Sequence, residues 1–597
     1  MRLRLRNGER IRLLADGMSG PWIDPFEAAG APAPAAVQTP AWALGTVWYN
    51  IFPERFDNAE PSNDQGWPHG TPIPWEQDWF EATADEFEAS ANRAIALPRR
   101  YGDDHDRRRP VLREGIFERR YGGDLEGAMR RLDHIRTLGA ESIWFCPVFR
   151  STSLHKYDAA DHRHIDPYLA GVGSPASRGE PAPFSSDPAD WIWTEADRVF
   201  VDQFLPAAKS QGMRVILDGV WNHVGLRHPA FEDAIERGQA SPYWDWFEIT
   251  PDEQSQVASW RAWDRRSGAL PVFRQFPSPN PGDAHLHGHM RGQLADGPKD
   301  HVFAVTDRWM DPDADGDPSD GIDGWRLDVA NEVGIPFWRD WRAHVRSINP
   351  DAILFGELWF DGSDYFNGVA FDAQMNYPLA FALTGWLGRE PSMTSERFVE
   401  TVRDRVFVHH PATVLAQMNL VSSHDTPRFA SMIANPGREY DRDAGMAAAG
   451  FDRSRPSEAV YDLVELGYAI LTALPGSPMV YNGDELGMWA ADDPENRMPI
   501  QWPPDNRAAA FAERVGSWLR LRQDPRFGDA LKHGGWSIEQ DGEIIIVRRW
   551  LDDVVVELGA NRSIEPQPWT GGTLPPRSAQ MRWSAMGGTR GWTNAKP

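Results

Sequence analysis

The feature that most constrains the fold is a repeated alternation of short apolar runs, each ending in polar residues, with longer helical patterns. The eight runs that predict strands are TVWYNIF (46–52), SIWFCPVF (142–149), RVILDGVWNH (214–223), GIDGWRLD (321–328), AILFGE (352–357), GVAFDAQ (368–374), AQMNLVSSHD (416–425) and SPMVYNGDE (477–485). Helical patterns such as 124–139 and 194–212 separate most of them. Eight units of a strand followed by a helix predict an α/β protein with a closed (β/α)8 TIM barrel.

The composition indicates a large folded protein and argues against nucleic acid as a partner. The chain has 597 residues, and 41% of them are hydrophobic, including 28 Phe and 28 Trp. This content is typical of a globular chain with a sizeable core and room for more than one domain. The formal net charge of -26 disfavours a polyanionic partner and leaves neutral ligands open.

The sequence predicts neither a disulfide nor a membrane segment. The single cysteine, Cys146, lies in an apolar run, which favours an inert core residue. The N-terminus, MRLRLRNGERIRLL, lacks the uninterrupted apolar stretch of a secretory signal, and no apolar run is long enough to span a membrane. We therefore expect a cytoplasmic protein, or a periplasmic or secreted one if a signal has been removed.

Polar side chains stand at the ends of the predicted strands, where a barrel would gather them on one rim. These residues are Asp218, Asn222, His223, Asp328, Glu357, His424 and Asp425. A carboxylate at the end of a buried strand needs a partner, and Arg326, two residues before Asp328 on the same face, can provide it. For this stretch alone, a purely structural Asp–Arg bridge is the alternative.

Three carboxylates on one rim suit the hydrolysis of glycosidic bonds. Two of the three residues Asp328, Glu357 and Asp425 would serve as nucleophile and general acid. The reaction passes through an oxocarbenium-like state, whose positive charge a third carboxylate can stabilise. The alternative is that one or two of these residues only cap loops or pair with arginines.

Four short motifs, in order along the chain, resemble those of the α-amylase superfamily of glycoside hydrolases (family 13 type). They are DGVWNH (218–223), GWRLDVANE (324–332), FGELW (355–359) and VSSHD (421–425). The stretches RRYGGDLEGAMRRLDHIRTLGA and HKYDAADHRHIDP also match, so the resemblance extends from about residue 48 to about 524. It implies a barrel with an inserted small lobe, called domain B, and a C-terminal antiparallel β-sandwich.

With this resemblance the chain divides into five segments. They are an N-terminal arm or linker (1–40), the first part of the catalytic barrel (41–223), domain B (224–305), the second part of the barrel (306–524) and the C-terminal β-sandwich domain (525–597). The motifs VANE and FPERFDNAEPSND are most similar to the cyclomaltodextrinase, neopullulanase and maltogenic amylase group, which usually carries an N-terminal β-sandwich module. About forty residues are too few for that module, so both a monomer and a homodimer stay open.

The resemblance implies a role for each residue of the rim. Asp328 would be the nucleophile, Glu357 the general acid/base and Asp425 the group that holds the distorted sugar. Arg326 would orient Asp328 and keep it ionised, with Asp218 supporting Arg326. The other residues that would bind substrate are His155, Tyr157, His223, Glu332, Trp359 and His424. For the two histidines of the rim, simple packing is the alternative.

Two acidic stretches are candidates for a structural calcium ion, which prefers several oxygen ligands. The first, DPDADGDPSD (311–320), places Asp311, Asp313 and Asp315 at alternate positions but has Ile322 where an EF-type loop carries Glu. The second resembles a calcium site of the same group and consists of Asn58, Glu60, Asn63, Asp64 and Asp124. For the first stretch, a solvated acidic loop is the alternative.

The interpretation that these observations favour is a retaining hydrolase of α-1,4 links in maltodextrins or cyclodextrins. An α-glucan transferase or isomerase, such as a trehalose-forming enzyme, shares all of these motifs and remains the alternative. A non-catalytic member kept as an interaction protein is less well supported, because all three carboxylates are intact.

Asn331 and Glu332 follow the nucleophile strand and should lie beside the sugar that leaves. Many members of the superfamily that cut only α-1,4 links have Lys and His at these two positions. Both side chains accept hydrogen bonds from hydroxyls, with charge assistance in the case of Glu332. The hypothesis is that the enzyme also tolerates α-1,6 links, and the alternative is that the pair only braces its loop.

Overall fold

The computed structural model describes most of the chain. It describes residues 39–64, 70–79, 83–84, 118–171, 184–264, 268–366, 368–388, 393–438 and 450–585, together with the backbone of 2–6, 10–15, 18–23 and 590–593.

The centre of the fold is a sheet of eight strands, which we number in chain order. They are β1 (Trp48–Ile51), β2 (Ser142–Phe145), β3 (Arg214–Gly219), β4 (Gly324–Leu327), β5 (Ile353–Gly356), β6 (Ala373–Gln374), β7 (Met418–Asn419) and β8 (Ser477–Tyr481). All neighbours are parallel, in the spatial order β6-β5-β4-β3-β2-β1-β8-β7. A parallel bridge between Met375 and Met418 joins the two edges, so the sheet closes into the predicted barrel.

Helices separate most of the barrel strands and cover the outside of the sheet. They are Leu125–Arg130, Leu132–Leu138, Glu195–Val199, Leu205–Ser210, Asp296–Met310, Ile335–Ile348, Tyr377–Leu387, Ser395–Thr401, Pro411–Ala416, Phe429–Ala434, Glu458–Ala473, Asn506–Leu519 and Gly528–His533. Between β5 and β6 the described chain has only a short turn, Ser363–Tyr365, in place of a helix.

Burial on both faces explains why the barrel strands are almost continuously apolar. Alternate residues of a strand point to opposite sides. In β1, Tyr49 and Ile51 belong to the large core under the helices, whereas Trp48 belongs to a second core together with Trp144, Phe355 and other residues of the barrel strands. Cys146 is buried in this second core.

The segment predicted as domain B (224–305) begins after β3 and ends within the helix Asp296–Met310, and we call its residues before that helix, 224–295, the small lobe. It contains the helix Pro229–Arg237 and two antiparallel strand pairs. The paired strands are Ile249–Pro251 with Val257–Trp260 and Gln275–Pro277 with Gly292–Leu294. An isolated bridge between His223 and Val272 fixes the lobe beside the end of β3.

The connection between β2 and β3 contains a second insertion, a hairpin of Phe149–Ser151 and Ala159–Ile165. The main chain of Gly225 at the start of the small lobe donates to the Ala159 carbonyl at 2.9 Å, so the hairpin and the lobe contact each other.

The C-terminal region forms an antiparallel sheet of five strands. These are Gly535–Asp541, Ile544–Leu551, Val554–Asn561, Ser578–Ala585 and Arg590–Thr593. A hairpin of Gln567–Trp569 and Gly572–Leu574 packs Trp569 and Leu574 against Ile544 and Ile546. The barrel and this region meet at the buried Arg549 of the strand Ile544–Leu551, whose Nη1 donates to the main-chain carbonyl of Leu474 at 3.1 Å.

The N-terminal segment, for which the sequence predicts an arm or linker, contains three strands. Arg2–Arg6, Arg10–Ala15 and Met18–Ile23 form an antiparallel sheet. The alternation of Arg and Leu in RLRLR is a period-two pattern, which is typical of a strand. The sequence therefore contained a signal for the first of these strands. None of the helices in the described residues is long and apolar enough to cross a membrane.

Candidate active site

The barrel brings the predicted polar strand ends together at the carboxyl ends of β3, β4, β5 and β7. Asp218 lies in β3. The parallel hydrogen bonds of the sheet continue to the residues that directly follow β4 and β5. The main chain of Asp328 donates to the Gly219 carbonyl at 3.0 Å, and that of Glu357 donates to the Leu327 carbonyl at 3.0 Å. The regular sheet thus positions both carboxylates directly.

The guanidinium of Arg326 is the centre of this group of side chains and is fully buried. Its Nη1 lies 2.8 Å from Asp218 Oδ1 and 3.0 Å from Asp328 Oδ1, and its Nη2 lies 2.9 Å from Glu357 Oε2. One cation therefore contacts three carboxylates. This arrangement explains why the buried strand β4 can end on a charge.

Three carboxylates share one cation, and the pKa values of the two aspartates reflect this. Burial and the Glu357 carboxylate raise the pKa of Asp328 well above its usual value, although Arg326 acts in the opposite direction. Burial also raises the pKa of Asp218 to about 6, again against Arg326. Arg326 therefore favours the ionised form of Asp328, as the sequence led us to expect, but in the free site it does not outweigh burial and Glu357.

Asp425 lies in a different electrostatic environment. Burial alone would raise its pKa, but the neighbouring His424 and Arg497 lower it below the usual range. His424 Nε2 lies 3.0 Å from Asp425 Oδ2, and Arg497 Nη2 lies 3.1 Å from Asp425 Oδ1. Burial lowers the pKa of His424, but Asp425 and Cys146 together raise it by more, to about 10. Asp425 is therefore an ionised carboxylate beside a protonated imidazole.

Tyr157 connects the two groups of charges. Its hydroxyl lies 2.6 Å from His424 Nε2 and donates to Asp218 Oδ2 at 3.0 Å, and its ring stacks on the imidazole of His424. His155 lies behind it, and its Nδ1 accepts from the Tyr157 main chain at 3.1 Å. Burial lowers the pKa of His155 to about 4, so this imidazole is neutral near pH 7.

His223 lies on the other side of Asp328, at the entrance to the small lobe. Its Nε2 is 4.0 Å from Asp328 Oδ2, and its Nδ1 accepts from the Asn222 side chain at 3.1 Å. Burial lowers the pKa of His223 to about 3. Its ring stacks on Trp263, an exposed tryptophan of the small lobe. The lobe thus contributes an aromatic surface close to the catalytic rim.

The loop after β4 links the candidate nucleophile to the candidate acid. Val329 adopts a left-handed conformation with φ 38°, which is strained for a β-branched residue and favours a functional explanation. In this conformation its N–H donates to Glu357 Oε2 at 2.8 Å. The indole of Trp359 donates to Glu357 Oε1 at 3.0 Å and stacks on Tyr377 with 3.8 Å between ring centroids. Both oxygens of Glu357 are therefore oriented.

Asn331 and Glu332 lie in the turn that follows this loop. The Asn331 amide is 3.5 Å from Glu332 Oε1, and Arg261 of the small lobe lies 3.7 Å from Glu332 Oε2. Arg261 also contacts Glu248 at 3.0 Å. Glu332 remains partly exposed, with about one third of its side chain accessible. The pair therefore faces both the small lobe and solvent.

The second candidate calcium site is only partly assembled by the structure. Asn58 donates to Asp64 Oδ2 at 2.7 Å, and its own buried Oδ1 has no hydrogen-bond partner among the described residues. A Cβ on Gly122 would collide with the Asp64 carboxylate, so only glycine allows the main chain to pass this close to it. Glu60 turns away and accepts from the Ser62 main chain at 3.1 Å. Asp124 caps the helix Leu125–Arg130, and the Asn63 side chain lies outside the described residues.

The first candidate calcium site is an exposed loop after the helix Asp296–Met310. One carboxylate oxygen from each of Asp311, Asp313 and Asp315 lies within 4.8 Å of the others. Main-chain N–H groups of the same loop donate to Asp311 and Asp313, at 3.0 Å and 3.1 Å. The aspartates can thus either bind a cation or stabilise their own turn.

Comparison with known proteins decides the family. The model of the alpha amylase catalytic domain matches residues 50–171, 197–273 and 299–532, which include the candidate catalytic carboxylates and Arg326. The chain belongs to the α-amylase family. The matched segments leave out 1–49, 172–196, everything after 532 and 274–298, which includes the end of the small lobe.

Individual relatives of this α-amylase family member have low sequence identity to it, but the matches cover most of this chain. It is 29% identical to the maltogenic alpha-amylase of Bacillus acidopullulyticus over 82% of this chain and 64% of that protein. It is 33% identical to neopullulanase 2 of Thermoactinomyces vulgaris over 81% of this chain and 63% of that protein. The chain thus spans just under two thirds of the length of these relatives.

The fold is also shared with solved structures of the family. The cyclic alpha-maltosyl-(1→6)-maltose hydrolase of Arthrobacter globiformis superposes with a TM-score of 0.66 at 23% identity. The superposition covers 92% of this chain and all of that chain. At this identity the likeness supports the fold alone.

Some residues of the site were not found by sequence reasoning. Arg497, Tyr377 and Trp263 contact Asp425, Trp359 and His223, but they lie outside the four motifs. Trp263 lies in the inserted lobe, where no strand period places a side chain. Arg497 follows β8, and its polar surroundings, PENRMP, were the one signal available.

Proposed function

We propose that this protein is a retaining hydrolase of α-glucans that acts on α-1,4 links of maltodextrins or cyclodextrins. The observation that supports it most is the contact of Asp328 and Glu357 with adjacent nitrogens of one guanidinium. Retaining enzymes keep their two carboxyl groups about 5 Å apart, close enough for one of them to attack the sugar directly. The family match supports the same chemistry.

In the first step, Asp328 attacks the anomeric carbon while the protonated Glu357 gives its proton to the leaving oxygen. The bond from the sugar to the leaving oxygen breaks, and a bond to Asp328 Oδ forms. A glycosyl-enzyme and the shortened glucan result. Burial and the neighbouring carboxylates raise the pKa values of Asp218 and Asp328 against the effect of Arg326, so this group of carboxyls retains a proton near neutral pH. The first step requires this proton on Glu357 and an ionised Asp328.

In the second step, Glu357 in its ionised form takes a proton from water, and the water oxygen attacks the anomeric carbon. The bond to Asp328 breaks, and the product again has the α-configuration. Asp425 is suited to bind hydroxyls of the distorted sugar, because His424 and Arg497 keep it ionised beside the reacting ring.

The substrate class follows from the relatives and from the shape of the rim. The relatives are named as a maltogenic alpha-amylase and a neopullulanase, and α-glucans are the class of substrate that we propose here. The exposed Trp263 beside His223 and the half-buried Trp359 beside Glu357 offer aromatic surfaces near the carboxylates. Transfer to another sugar instead of water uses the same glycosyl-enzyme and remains the second candidate.

We propose in addition that Asn331 and Glu332 allow cleavage of α-1,6 links. The partial exposure of Glu332 leaves its carboxylate accessible to a sugar hydroxyl, although Arg261 lies at 3.7 Å. The same contact supports the opposite explanation, in which the pair only braces the lobe. A change at Arg261 distinguishes the two explanations. Arg261 would be the partner in a brace, but it does not belong to the pair that is proposed to bind sugar.

Calcium is proposed as a structural ion at the site of Asn58 and Asp64. The buried Oδ1 of Asn58 and the adjacent carboxylate of Asp64 fit a cation that accepts oxygen ligands, whereas the geometry of Glu60 does not. Calcium bound there would stabilise the loop after β1 and would take no part in the two steps above.

The first prediction concerns the two catalytic carboxylates. Asp328→Asn and Glu357→Gln should each lower kcat on maltotriose at least about 1,000-fold, because each residue acts only in the transition state. With α-maltosyl fluoride, whose leaving group needs no protonation, Glu357→Gln should regain much of the first step. Asp351→Asn, the same change before β5 at the opposite end of the barrel, is the control. Near-normal turnover of either variant on maltotriose, or an initial β-anomer in the fresh wild-type hydrolysate by NMR, would contradict the assignment.

The second prediction concerns link specificity. The double variant Asn331→Lys, Glu332→His should lower the ratio of panose α-1,6 cleavage to maltotriose α-1,4 cleavage at least about tenfold, which corresponds to about 1.4 kcal/mol. Arg261→Ala should leave the ratio unchanged if the pair recognises sugar, and should reproduce the loss if it only braces the loop. Glu253→Gln, exposed in the same lobe, is the control. The absence of detectable α-1,6 cleavage in the wild type would also reject the proposal.

The third prediction concerns calcium. Removal of metal with a chelator should lower the Tm, and added Ca²⁺ should restore it while Zn²⁺ does not, because the ligands are oxygens. Asp64→Asn should abolish the effect of Ca²⁺, whereas Asp313→Asn in the exposed acidic loop should not. A Tm that does not respond to chelation, with less than about 0.1 Ca²⁺ per chain in the purified protein, would reject both sites.

A further inference from the structure

Three buried histidines meet where the small lobe joins the barrel, and we call them the histidine cluster. His162 lies in the hairpin strand Ala159–Ile165, His228 precedes the helix Pro229–Arg237 of the small lobe, and His301 lies in the helix Asp296–Met310. One ring nitrogen from each lies within 4.8 Å of the other two. Each side chain is almost completely buried.

The ring nitrogens of the cluster have almost no hydrogen bonds to the described part of the protein. Both nitrogens of His162 and of His301, and Nε2 of His228, have no partner there. The Val220 carbonyl lies near His162 and raises its pKa slightly, but without the geometry of a hydrogen bond. Buried polar atoms without partners are rare because each one loses its hydration, so five in one place point to a missing ligand.

A neighbouring histidine shows how this chain satisfies an imidazole that is only structural. His164 is two residues from His162 in the same strand and is also buried. Its Nδ1 lies 2.8 Å from Asp197 Oδ2, in a group that also includes Arg308. No comparable carboxylate contact is found for the histidine cluster among the described residues. Its members differ from His164 in partners and not in burial.

The surroundings of the cluster are aromatic. Ring centroids of Trp221 and Phe149 lie 5.3 Å and 5.9 Å from His162, and those of Trp246 and Trp191 lie 5.5 Å and 5.6 Å from His301. Burial among these rings favours the neutral form of an imidazole, which has a lone pair on one ring nitrogen.

The nearest charged groups do not compete for the cluster. Asp161 precedes His162, and its carboxylate accepts from Arg163 Nε at 2.9 Å and Nη2 at 2.7 Å. Asp161 is therefore paired with Arg163 and not with a histidine of the cluster. What the cluster presents is thus three neutral nitrogen ligands in an apolar pocket, which is the donor set that Zn²⁺ and similar divalent transition metals prefer over Ca²⁺ or Mg²⁺.

We propose that His162, His228 and His301 bind one divalent transition-metal ion of the Zn²⁺ class, which fastens the small lobe to the barrel. Bonds of about 2.0–2.1 Å require the three nitrogens to approach one another, which rotations of the rings can provide. At His228, Nε2 would bind the metal, and Nδ1 would lose its long 3.3 Å contact with the Ala230 N–H. A metal bond is much stronger than this single contact.

The role of the ion is structural. Its three ligands come from the hairpin after β2, from the small lobe and from the helix that follows the lobe, so one ion would join three separate segments of the chain. The catalytic steps proposed above do not involve it. Loss of the metal should therefore reduce stability first, and activity only through the position of the lobe with Trp263.

The test uses the full-length protein with its affinity tag removed, because histidine tags bind the same metals. After equilibration with Zn²⁺ and removal of the excess, the wild type should retain about one Zn²⁺ per chain by elemental analysis. Co²⁺ in its place should give the intense visible spectrum of a tetrahedral site. His162→Gln and His301→Gln should each lower the metal content to less than about 0.1 per chain, while the exposed His289→Gln should keep it.

A second measurement does not depend on the folding of the variants. X-ray absorption of the zinc-loaded wild type should show three imidazole ligands, with the multiple-scattering pattern of histidine. A wild type that retains less than about 0.1 Zn²⁺ per chain, or a zinc environment built mainly of carboxylate oxygens, would overturn the proposal. So would folded His162→Gln and His301→Gln variants that retain a full equivalent of metal with an unchanged cobalt spectrum.

Discussion

The buried guanidinium of Arg326 contacts three carboxylates at the carboxyl ends of β3, β4 and β5, and the catalytic rim depends on these contacts. Leaving one member of such a buried group unpaired costs about 3–5 kcal/mol, so Asp218 and Arg326 are as necessary to the arrangement as the reacting groups. A parallel barrel is well suited to it, because its hydrogen-bond ladder fixes the relative height of the three strand ends. The position of the charges is therefore set by the regular part of the fold.

The excess of carboxylates over cations has a chemical consequence. Asp218, Asp328 and Glu357 share one cation, and burial raises the pKa of the two aspartates. Asp425 contacts two other cations, His424 and Arg497, and stays ionised. Carboxylates thus serve two purposes within one rim: the group around Arg326 retains a proton, which the first step needs on Glu357, and Asp425 keeps a full charge for the sugar.

The barrel and its carboxylates could be predicted because their signal is local. Each strand is an almost continuous apolar run, because its residues are buried on both faces of the sheet. Asp328 and Glu357 each directly follow such a run. All eight predicted runs contain a barrel strand. Two elements have only short patterns in the sequence, and neither was predicted. They are the turn Ser363–Tyr365 between β5 and β6 and the N-terminal strand Arg2–Arg6.

What the sequence could not provide is contact between segments that are far apart in the chain. Arg497 is 72 residues from Asp425, and the three histidines come from a hairpin, a lobe and a helix that no periodicity places together. The stretch HRHIDP was noticed only as part of a motif, although His162 and His164 within it have different environments. Such sites depend on how the lobe folds back on the barrel.

The central claim is that Asp328, oriented by Arg326, forms the bond to the sugar. A fluorinated maltosyl fluoride that slows the second step should leave a glycosyl-enzyme long enough for tryptic digestion and mass spectrometry. Cleavage after Arg326, Arg346 and Arg405 places Asp328 in 327–339, Glu357 in 347–389 and Asp425 in 406–428. The account predicts that the added mass lies on 327–339, with fragment ions assigning it to Asp328. A label on either of the other two peptides, or on Glu332, would contradict it.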